Sequence, residues 1–463
     1  MSSHQTETTS SSITQESAIS EKHAEESSLL EKSPTEMTRE ELVKIATLYQ
    51  QEKRLAINSQ NIASSSSDDV GNNIQSTCAE KDKKNGKEKT KKKKQKNEMD
   101  WSKQHMEYIA LKIAYLGFNY QGLARQAHTT NTIEYHLFEA LKKVKLIESE
   151  EKSEYTRCGR TDKGVSALGQ VISFYGRASK DPNKSFDYVK MLNNLLPEDI
   201  RVLAWCPVTK DFDARFGCIQ RTYKYFFIKQ NLNIDKMREA AEKFIGDHDF
   251  RNFCKINAED VSNFRRKILN VEIVKSDLFH QQHGSDTYYD MYEIVVCGYS
   301  FLWHQIRCMA AVLFLVGEGK EEPSIVSDLL DIETYKARPQ YPIASEYPLV
   351  LYDCVFEDLK WVHSNFETPA EVASHFFEMW KHCSIKTSMY NIFYQAANNA
   401  LLDRSKLESD YDNQESKYIT LRNAVAIRPP KERGPKYVRL LERPTAFSYE
   451  ECLESLQKKK KKQ

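Results

Sequence analysis

The sequence lacks the features that mark several large classes of protein. Its ten cysteines are scattered, without a CxxC pair or a Cys/His cluster at zinc spacing, so we expect free thiols in a reducing compartment and neither a disulfide framework nor a metal site. The longest apolar stretch, near residues 309–316, is far too short to span a bilayer. The N-terminus carries no basic-then-apolar signal peptide, and its acidity argues against a transit peptide. These absences predict a soluble intracellular protein with no membrane partner.

Fingerprints of nucleotide-binding proteins and hydrolases are missing as well. The segment from Gly317 to Lys320 does not match the GxxxxGK[ST] phosphate loop. No dinucleotide-binding pattern and no convincing Ser/His/Asp spacing occurs. Chemistry in this protein must therefore be sought in other residue patterns.

Charge is distributed in blocks. The formal net charge of the 463 residues is +1, yet the head is rich in Ser, Thr and Glu, and lysine runs occupy residues 81–96 and 458–462. The first 35 or so residues offer little to bury and are predicted to be disordered, and a Thr38–Glu41 capping box then begins one amphipathic helix. The run at 81–96 fits a nuclear localisation signal, an RNA-contacting tail or a solubilising linker. It favours the nucleus, with the cytoplasm as a second location.

Hydrophobic periodicity divides the chain into four parts. Residues 1–105 are a mostly disordered head, 106–230 and 231–360 are two halves of one domain, and 361–463 are a helical extension with a basic tail. Strands and helices mix without strict βαβ alternation, which predicts an α+β fold with a largely antiparallel sheet. The predicted elements include strands at 212–229, 267–274, 292–296 and 348–356, a turn at 246–250, and helices at 186–196, 234–245 and 302–316.

A charged loop between two predicted strands holds the first candidate for chemistry. Residues 159–164 are Gly-Arg-Thr-Asp-Lys-Gly, so Asp162 lies close to Arg160 on a backbone whose glycines allow tight bending. A carboxylate held beside a fixed cation suits a reactive group. The same pattern suits an ordinary turn in which Asp162 caps a local hydrogen bond. Spacing alone leaves both interpretations open.

Two further motifs combine aromatic rings with cations. The predicted strand 221–225, Arg-Thr-Tyr-Lys-Tyr, places its tyrosines on one face, where they suit either stacking on nucleic-acid bases or an ordinary core. Residues 301–307, Phe-Leu-Trp-His-Gln-Ile-Arg, are predicted to be helical. If Arg307 is buried there, it needs a carboxylate partner, for which Asp162 is one candidate. An exposed arginine on an amphipathic helix explains that pattern equally well.

In combination these motifs resemble the TruA-type tRNA pseudouridine synthases. Segments 159–167, 214–216, 221–225 and 301–307 occur in the order found in that family, and the resemblance runs from about residue 108 to 358. The eukaryotic branch that acts on tRNA uridines 38 and 39 is the most similar. Its marks here are Lys163-Gly-Val-Ser166 and the segments 246–254 and 436–443.

The resemblance implies an isomerase and assigns its site. In that family the glycosidic bond of a uridine breaks, the uracil turns, and carbon 5 rejoins the sugar, with one aspartate and neither cofactor nor metal. Asp162 matches that aspartate, as a nucleophile toward the sugar or as a base. Arg160 matches the residue that holds the flipped nucleotide, Tyr223 the tyrosine that packs on the uracil, and Arg307 the arginine partner of the aspartate. The loop around Tyr347 to Leu349 completes the pocket.

Architecture and partners are also implied by the resemblance. The family fold has two ferredoxin-like halves that share one largely antiparallel sheet with a central active-site cleft. Its members commonly pair as homodimers and bind tRNA, here through the anticodon stem-loop, mainly by Lys and Arg contacts to phosphate. Two alternatives stay open: action on other tRNA positions or other RNAs, and a non-catalytic RNA-binding or tRNA-folding protein. The intact Asp162, Tyr223 and Arg307 argue against the second.

Overall fold

A computed structural model describes residues 99–181, 183–259, 261–276, 289–357, 359–362, 367–408 and 437–460. The predicted disordered head, its helix after Thr38 and the lysine run at 81–96 lie outside these residues. Among the described helices, none has the length and apolar character that crossing a membrane requires.

The described strands form one mixed sheet. Its strands are β1 (His105–Tyr115), β2 (Thr156–Arg157), β3 (Ser166–Ala178), β4 (Ile200–Pro207), β5 (Cys218–Ile228), β6 (Gly246–Asp249), β7 (Arg265–Lys275), β8 (Met291–Gly298) and β9 (Leu349–Phe356). Their order is β4-β1-β3-β9-β5-β8-β7-β6, with β2 paired to β3. Only β3 and β9 are parallel, through the pairs Ser166 with Val350 and Ala167 with Leu351. The predicted α+β class with a largely antiparallel sheet is confirmed.

Each of the first three α-helices begins after a residue whose side chain accepts a hydrogen bond from a backbone N–H group in the first turn. These N-cap residues are Thr132, Asp187 and Asn233. The described helices are α1 (Ile133–Lys143), α2 (Tyr188–Asn193), α3 (Ile234–Glu242), α4 (Gln305–Gly317), α5 (Ile325–Leu330), α6 (Glu367–Glu408) and α7 (Tyr449–Lys460).

Two separate apolar cores cover the sheet. The first includes side chains of α1, α2 and β4, and the second includes side chains of α3, α4 and α5. Strand β9 contributes Leu351 to the first core and Leu349 to the second, and Tyr223 of β5 packs against both. The two halves therefore meet where β3, β9 and β5 lie side by side.

Two predicted elements were wrong, one beside this junction and one at the far edge of the sheet. The strand predicted from residue 212 begins only at Cys218, because Asp213 accepts the N–H groups of Arg215 and Phe216 at 2.7 and 2.8 Å and closes a turn. The turn predicted at 246–250 is strand β6, which pairs with β7. Pairing with a neighbouring strand overrides the turn propensity of the Gly-Asp-His-Asp sequence.

Candidate active site

The loop between β2 and β3 carries Asp162 and is fixed at its beginning by Arg221 of β5. Arg221 is 8% exposed. Its guanidinium donates to the backbone carbonyls of Cys158 at 2.9 Å, Arg215 at 2.8 Å and Tyr299 at 2.6 Å. One buried side chain thus joins the Asp162 loop to the turn of Arg215 and to the segment that leads into residues 301–307.

The far end of the loop is fixed by short contacts. The Thr161 hydroxyl lies 2.7 Å from the buried Tyr115 hydroxyl, and the Gly164 N–H donates to the Tyr120 carbonyl at 3.1 Å. Gly164 has a φ of +78°, and a Cβ at this position would lie 2.7 Å from Cγ of Glu346. Any larger residue would be strained here by the backbone conformation and would displace the Glu346 side chain.

Asp162 is held by two aromatic ring nitrogens. Nε1 of Trp303 donates to Oδ1 at 3.1 Å, and Nε2 of His304 lies 3.4 Å from Oδ2. The Asp162 side chain remains 30% exposed. The carboxylate is therefore oriented by the protein and still accessible to a ligand.

The backbone at His304 brings these rings to the carboxylate. His304 has a left-handed conformation, with φ of 64° and ψ of 8°, immediately before α4. A helix cannot include such a residue, so α4 begins at Gln305 and not at Leu302 as predicted. The Gln305 side chain stabilises this start, because its Oε1 accepts the Leu302 N–H at 2.8 Å.

Arg307 does not contact Asp162 as predicted. Its Nη2 donates to Oε2 of Glu346 at 2.8 Å and its Nε to the Ala344 carbonyl at 2.7 Å. Within the described part of the chain, Arg307 forms no ion pair with Asp162. The later start of α4 explains the difference, because it turns His304 and its neighbour Trp303 toward the loop.

His304 is neutral near pH 7. Burial lowers the pKa of its imidazole, and the positive charges of Arg307, Lys255 and Arg338 lower it further against the opposing effect of Asp162. The hydrogen bond to Asp162 therefore comes from Trp303, while Nε2 of the neutral His304 imidazole faces the carboxylate at 3.4 Å.

We expect a pH effect on stability from His304. Because its pKa is lower in the folded protein, its contribution to stability is fully present above the unfolded pKa of about 6.5 and is lost as pH falls from that value through the folded pKa. Urea unfolding of wild type should lose more stability on acidification than His304→Asn, which tolerates the left-handed backbone. The exposed His128→Asn is the control. Equal losses in wild type and His304→Asn would contradict the assignment.

Tyr223 lies at the junction of the halves, beside a register shift between β5 and β9. Its ring packs edge-on against Phe301, with centroids 5.2 Å apart. Burial, with the nearby Cys354, raises the pKa of the Tyr223 hydroxyl above its usual value. The Tyr223 side chain is therefore a neutral phenol at neutral pH and can donate a hydrogen bond.

Leu349 is 5% exposed and packs in the second core at the start of β9.

Cations and an exposed indole flank Asp162. Arg160 and Lys163 are exposed on the same loop. The indole of Trp303 is 45% exposed, and Nζ of Lys255 lies 4.6 Å from its ring centroid. This mixture of rings and positive charge suits the bases and phosphates of a nucleic acid.

A second aromatic pair lies at the far end of the loop. Phe118 and Tyr347 are 44% and 63% exposed, and their rings stack with centroids 4.4 Å apart. Tyr347 follows Glu346, whose side chain touches Gly164. The sequence placed Tyr347 in the loop expected to complete the pocket but did not predict its stacking on Phe118. The two ring contacts of Asp162 were also missed, and only the motif at 301–307 carried a signal for them.

Comparison with known proteins identifies the family. Residues 240–357 match the model of a family described as tRNA pseudouridine synthase. A Bos taurus protein named tRNA pseudouridine(38/39) synthase is 45% identical over 326 residues, which cover 67% of this chain and 68% of the relative. Proteins of the same name are 46% identical over 316 residues in Homo sapiens (64% and 65%) and 42% identical over 327 residues in Saccharomyces cerevisiae (66% and 70%). The chain therefore belongs to the TruA-type tRNA pseudouridine synthases, in their eukaryotic branch.

Proposed function

We propose that this protein isomerises uridine to pseudouridine at positions 38 and 39 of the tRNA anticodon stem-loop. The observation that carries the proposal is the Asp162 carboxylate, held by Trp303 and His304 and still open to a ligand. The eukaryotic relatives that share about two thirds of the chain bear the name of this activity.

The reaction needs an ionised carboxylate and a base that has left its stack. The bond between N1 of uracil and C1′ of ribose breaks, and C5 then bonds to C1′. C5 loses its proton and N1 gains one, so atoms and charge balance. Asp162 either attacks C1′ or removes the 2′ proton, and both routes require it unprotonated. Arg160 holds the flipped nucleotide, and Tyr223 packs on the uracil.

Arg307 and Leu349 contribute to the pocket by fixing the position of one of its walls. Arg307 ties residues 344–346 to α4, and this segment leads directly into β9, whose first residue is Leu349. The substrate-binding role of both residues is thus to hold the wall that carries Tyr347.

Mapping pseudouridine in cellular tRNA tests the site assignment. Cells that lack the protein should lose pseudouridine at positions 38 and 39, and re-expression should restore both. Unchanged modification at both positions would contradict the assignment. Loss at other tRNA positions or in other RNAs would favour the broader substrate range.

The fold around this site suggests two ferredoxin-like halves, each a β-α-β-β-α-β unit. Strands β1 to β4 have the order β4-β1-β3-β2, and β5, β7, β8 and β9 repeat it as β9-β5-β8-β7. A helix follows the first and third strand of each set. We infer that the two halves share one topology and that the loop carrying Asp162 lies at their junction.

We propose that α6 pairs two copies of the chain. Its 42 residues expose Phe377, Trp380, Met389, Tyr390 and Phe393, each by at least 51%. A helix with so many exposed large apolar side chains suits an interaction surface, and homodimers are expected from the family resemblance.

A charge placed in this surface should separate the copies. We expect Phe377→Glu combined with Trp380→Glu to sediment as a monomer, because a buried unpaired carboxylate opposes association. Lys458→Glu, a charge reversal at an exposed residue of α7, should remain dimeric. A wild type that is monomeric at micromolar concentration would contradict the proposal.

We also propose residence in the nucleus, with the cytoplasm as a second location. The support is the lysine run at 81–96. A fluorescent fusion that lacks this run should move out of the nucleus, and an unchanged distribution would contradict the proposal.

A further inference from the structure

Three cysteines that are far apart in the sequence meet at the junction of the halves. The Sγ atoms of Cys158, Cys218 and Cys354 all lie within 4.8 Å of one another, and those of Cys158 and Cys354 are 3.3 Å apart. Their exposed fractions are 1%, 0% and 6%. Cys158 precedes the Asp162 loop, Cys218 begins β5, and Cys354 lies in β9. The spacing in the sequence gives no sign of this group.

A buried cation lies beside the three sulfurs. The hydrogen bonds of Arg221 go to backbone carbonyls, and within the described residues it forms no ion pair with a carboxylate. The neighbouring side chains that act on its guanidinium most strongly are the three cysteines. A buried cation without an anionic partner is costly, so thiolates formed on binding of a metal ion would compensate Arg221.

We propose that Cys158, Cys218 and Cys354 bind one thiophilic divalent metal ion, for which Zn²⁺ is the cellular candidate. Zinc–sulfur bonds of about 2.3 Å in a tetrahedral site place ligand sulfurs roughly 3.8 Å apart, which lies within the observed range of separations. Each thiol releases its proton to solvent on binding. Three thiolates around a divalent ion carry a net charge of −1, which the single positive charge of Arg221 balances.

Charge also argues against a monovalent ion. Three thiolates around Cu⁺ would carry −2, leaving one negative charge uncompensated in a buried site. In the described part of the chain, no fourth His, Cys, Asp or Glu joins the group, so the three sulfurs are the protein ligands of the ion. The ion would fasten the residue that precedes the Asp162 loop to both β5 and β9.

Metal titration of the full-length protein tests the proposal. The chain is purified in metal-free buffer with a phosphine reductant and titrated with Cd²⁺, which gives an ultraviolet charge-transfer band with thiolates. We expect one equivalent to bind to wild type. Cys354→Ser should lower the affinity by more than about 100-fold, because losing a ligand costs more than losing an outer partner of one. Cys206→Ser, another buried cysteine outside the cluster, should bind as wild type does.

A stability measurement keeps the test decisive if a variant folds poorly. Zn²⁺ should raise the thermal midpoint of wild type and of Cys206→Ser, and a chelator should reverse the shift. Wild type that takes up no ion, or that binds with the same affinity as Cys354→Ser, would overturn the proposal. So would the finding that Cys158 and Cys354 only form a disulfide once the reductant is removed. None of these readouts depends on tRNA modification.

Discussion

Asp162→Asn is expected to abolish pseudouridine formation and to leave tRNA binding unchanged. The amide keeps the size of the carboxylate and can still accept the Trp303 hydrogen bond, but it can neither attack the sugar nor take up a proton at neutral pH. Removal of a group that acts directly in the reaction costs on the order of 10⁴-fold or more in rate. Binding energy comes from cations and rings elsewhere on the surface.

Single-turnover product formation and a binding assay on the same tRNA separate the two effects. Asp235→Asn is a suitable control, because this aspartate is exposed on α3. Full activity of Asp162→Asn would remove Asp162 from the mechanism. Loss of binding together with activity would make its role structural.

Arg307→Met is expected to slow catalysis by about 10- to 100-fold, because small misplacements of catalytic groups have effects of this size. The substitution leaves Glu346 without its partner and frees the segment that touches Gly164. Because Glu346 is 38% exposed, we expect the free energy of unfolding to fall by only about 1–3 kcal/mol, less than for a fully buried pair.

A second substitution distinguishes this mechanism from direct pairing with Asp162. Glu346→Gln in the Arg307→Met background removes the uncompensated carboxylate, so it should recover part of the stability and of the rate. The acid limb of the pH–rate profile should stay where it is in wild type. A shifted acid limb without recovery would instead support an interaction between Arg307 and Asp162.

The sequence made the loop at 159–164 a candidate but did not predict the contacts of Asp162. A glycine-bounded carboxylate is a local pattern, and the family resemblance assigns Asp162 to the reaction; that role stays a prediction. The contacts of Asp162 depend on one backbone angle at His304, which no periodicity encodes. Helical spacing at 302–316 is satisfied equally well whether α4 begins at Leu302 or at Gln305, so the choice between Arg307 and the two rings could not be made.

Contacts between segments that are far apart in the chain could not be predicted from the sequence either. The three sulfurs converge only because β9 inserts between β3 and β5. The stack of Phe118 on Tyr347 likewise joins segments far apart in the chain. Helix α5, a short element, and helix α7, which lies in a polar tail, left no pattern strong enough to predict.

The place of β9 in the sheet has a consequence during translation. Leu351 and Cys354 complete the first core, although they belong to β9, the last strand of the second half to be synthesised. Until residues 349–356 have left the ribosome, β5 has an unpaired edge on the side that β9 will occupy, and exposed edges invite wrong pairings. Neither half can complete its sheet before β9 has been synthesised. A chain truncated before residue 349 would form two separate sheets, because β9 joins β3 to β5.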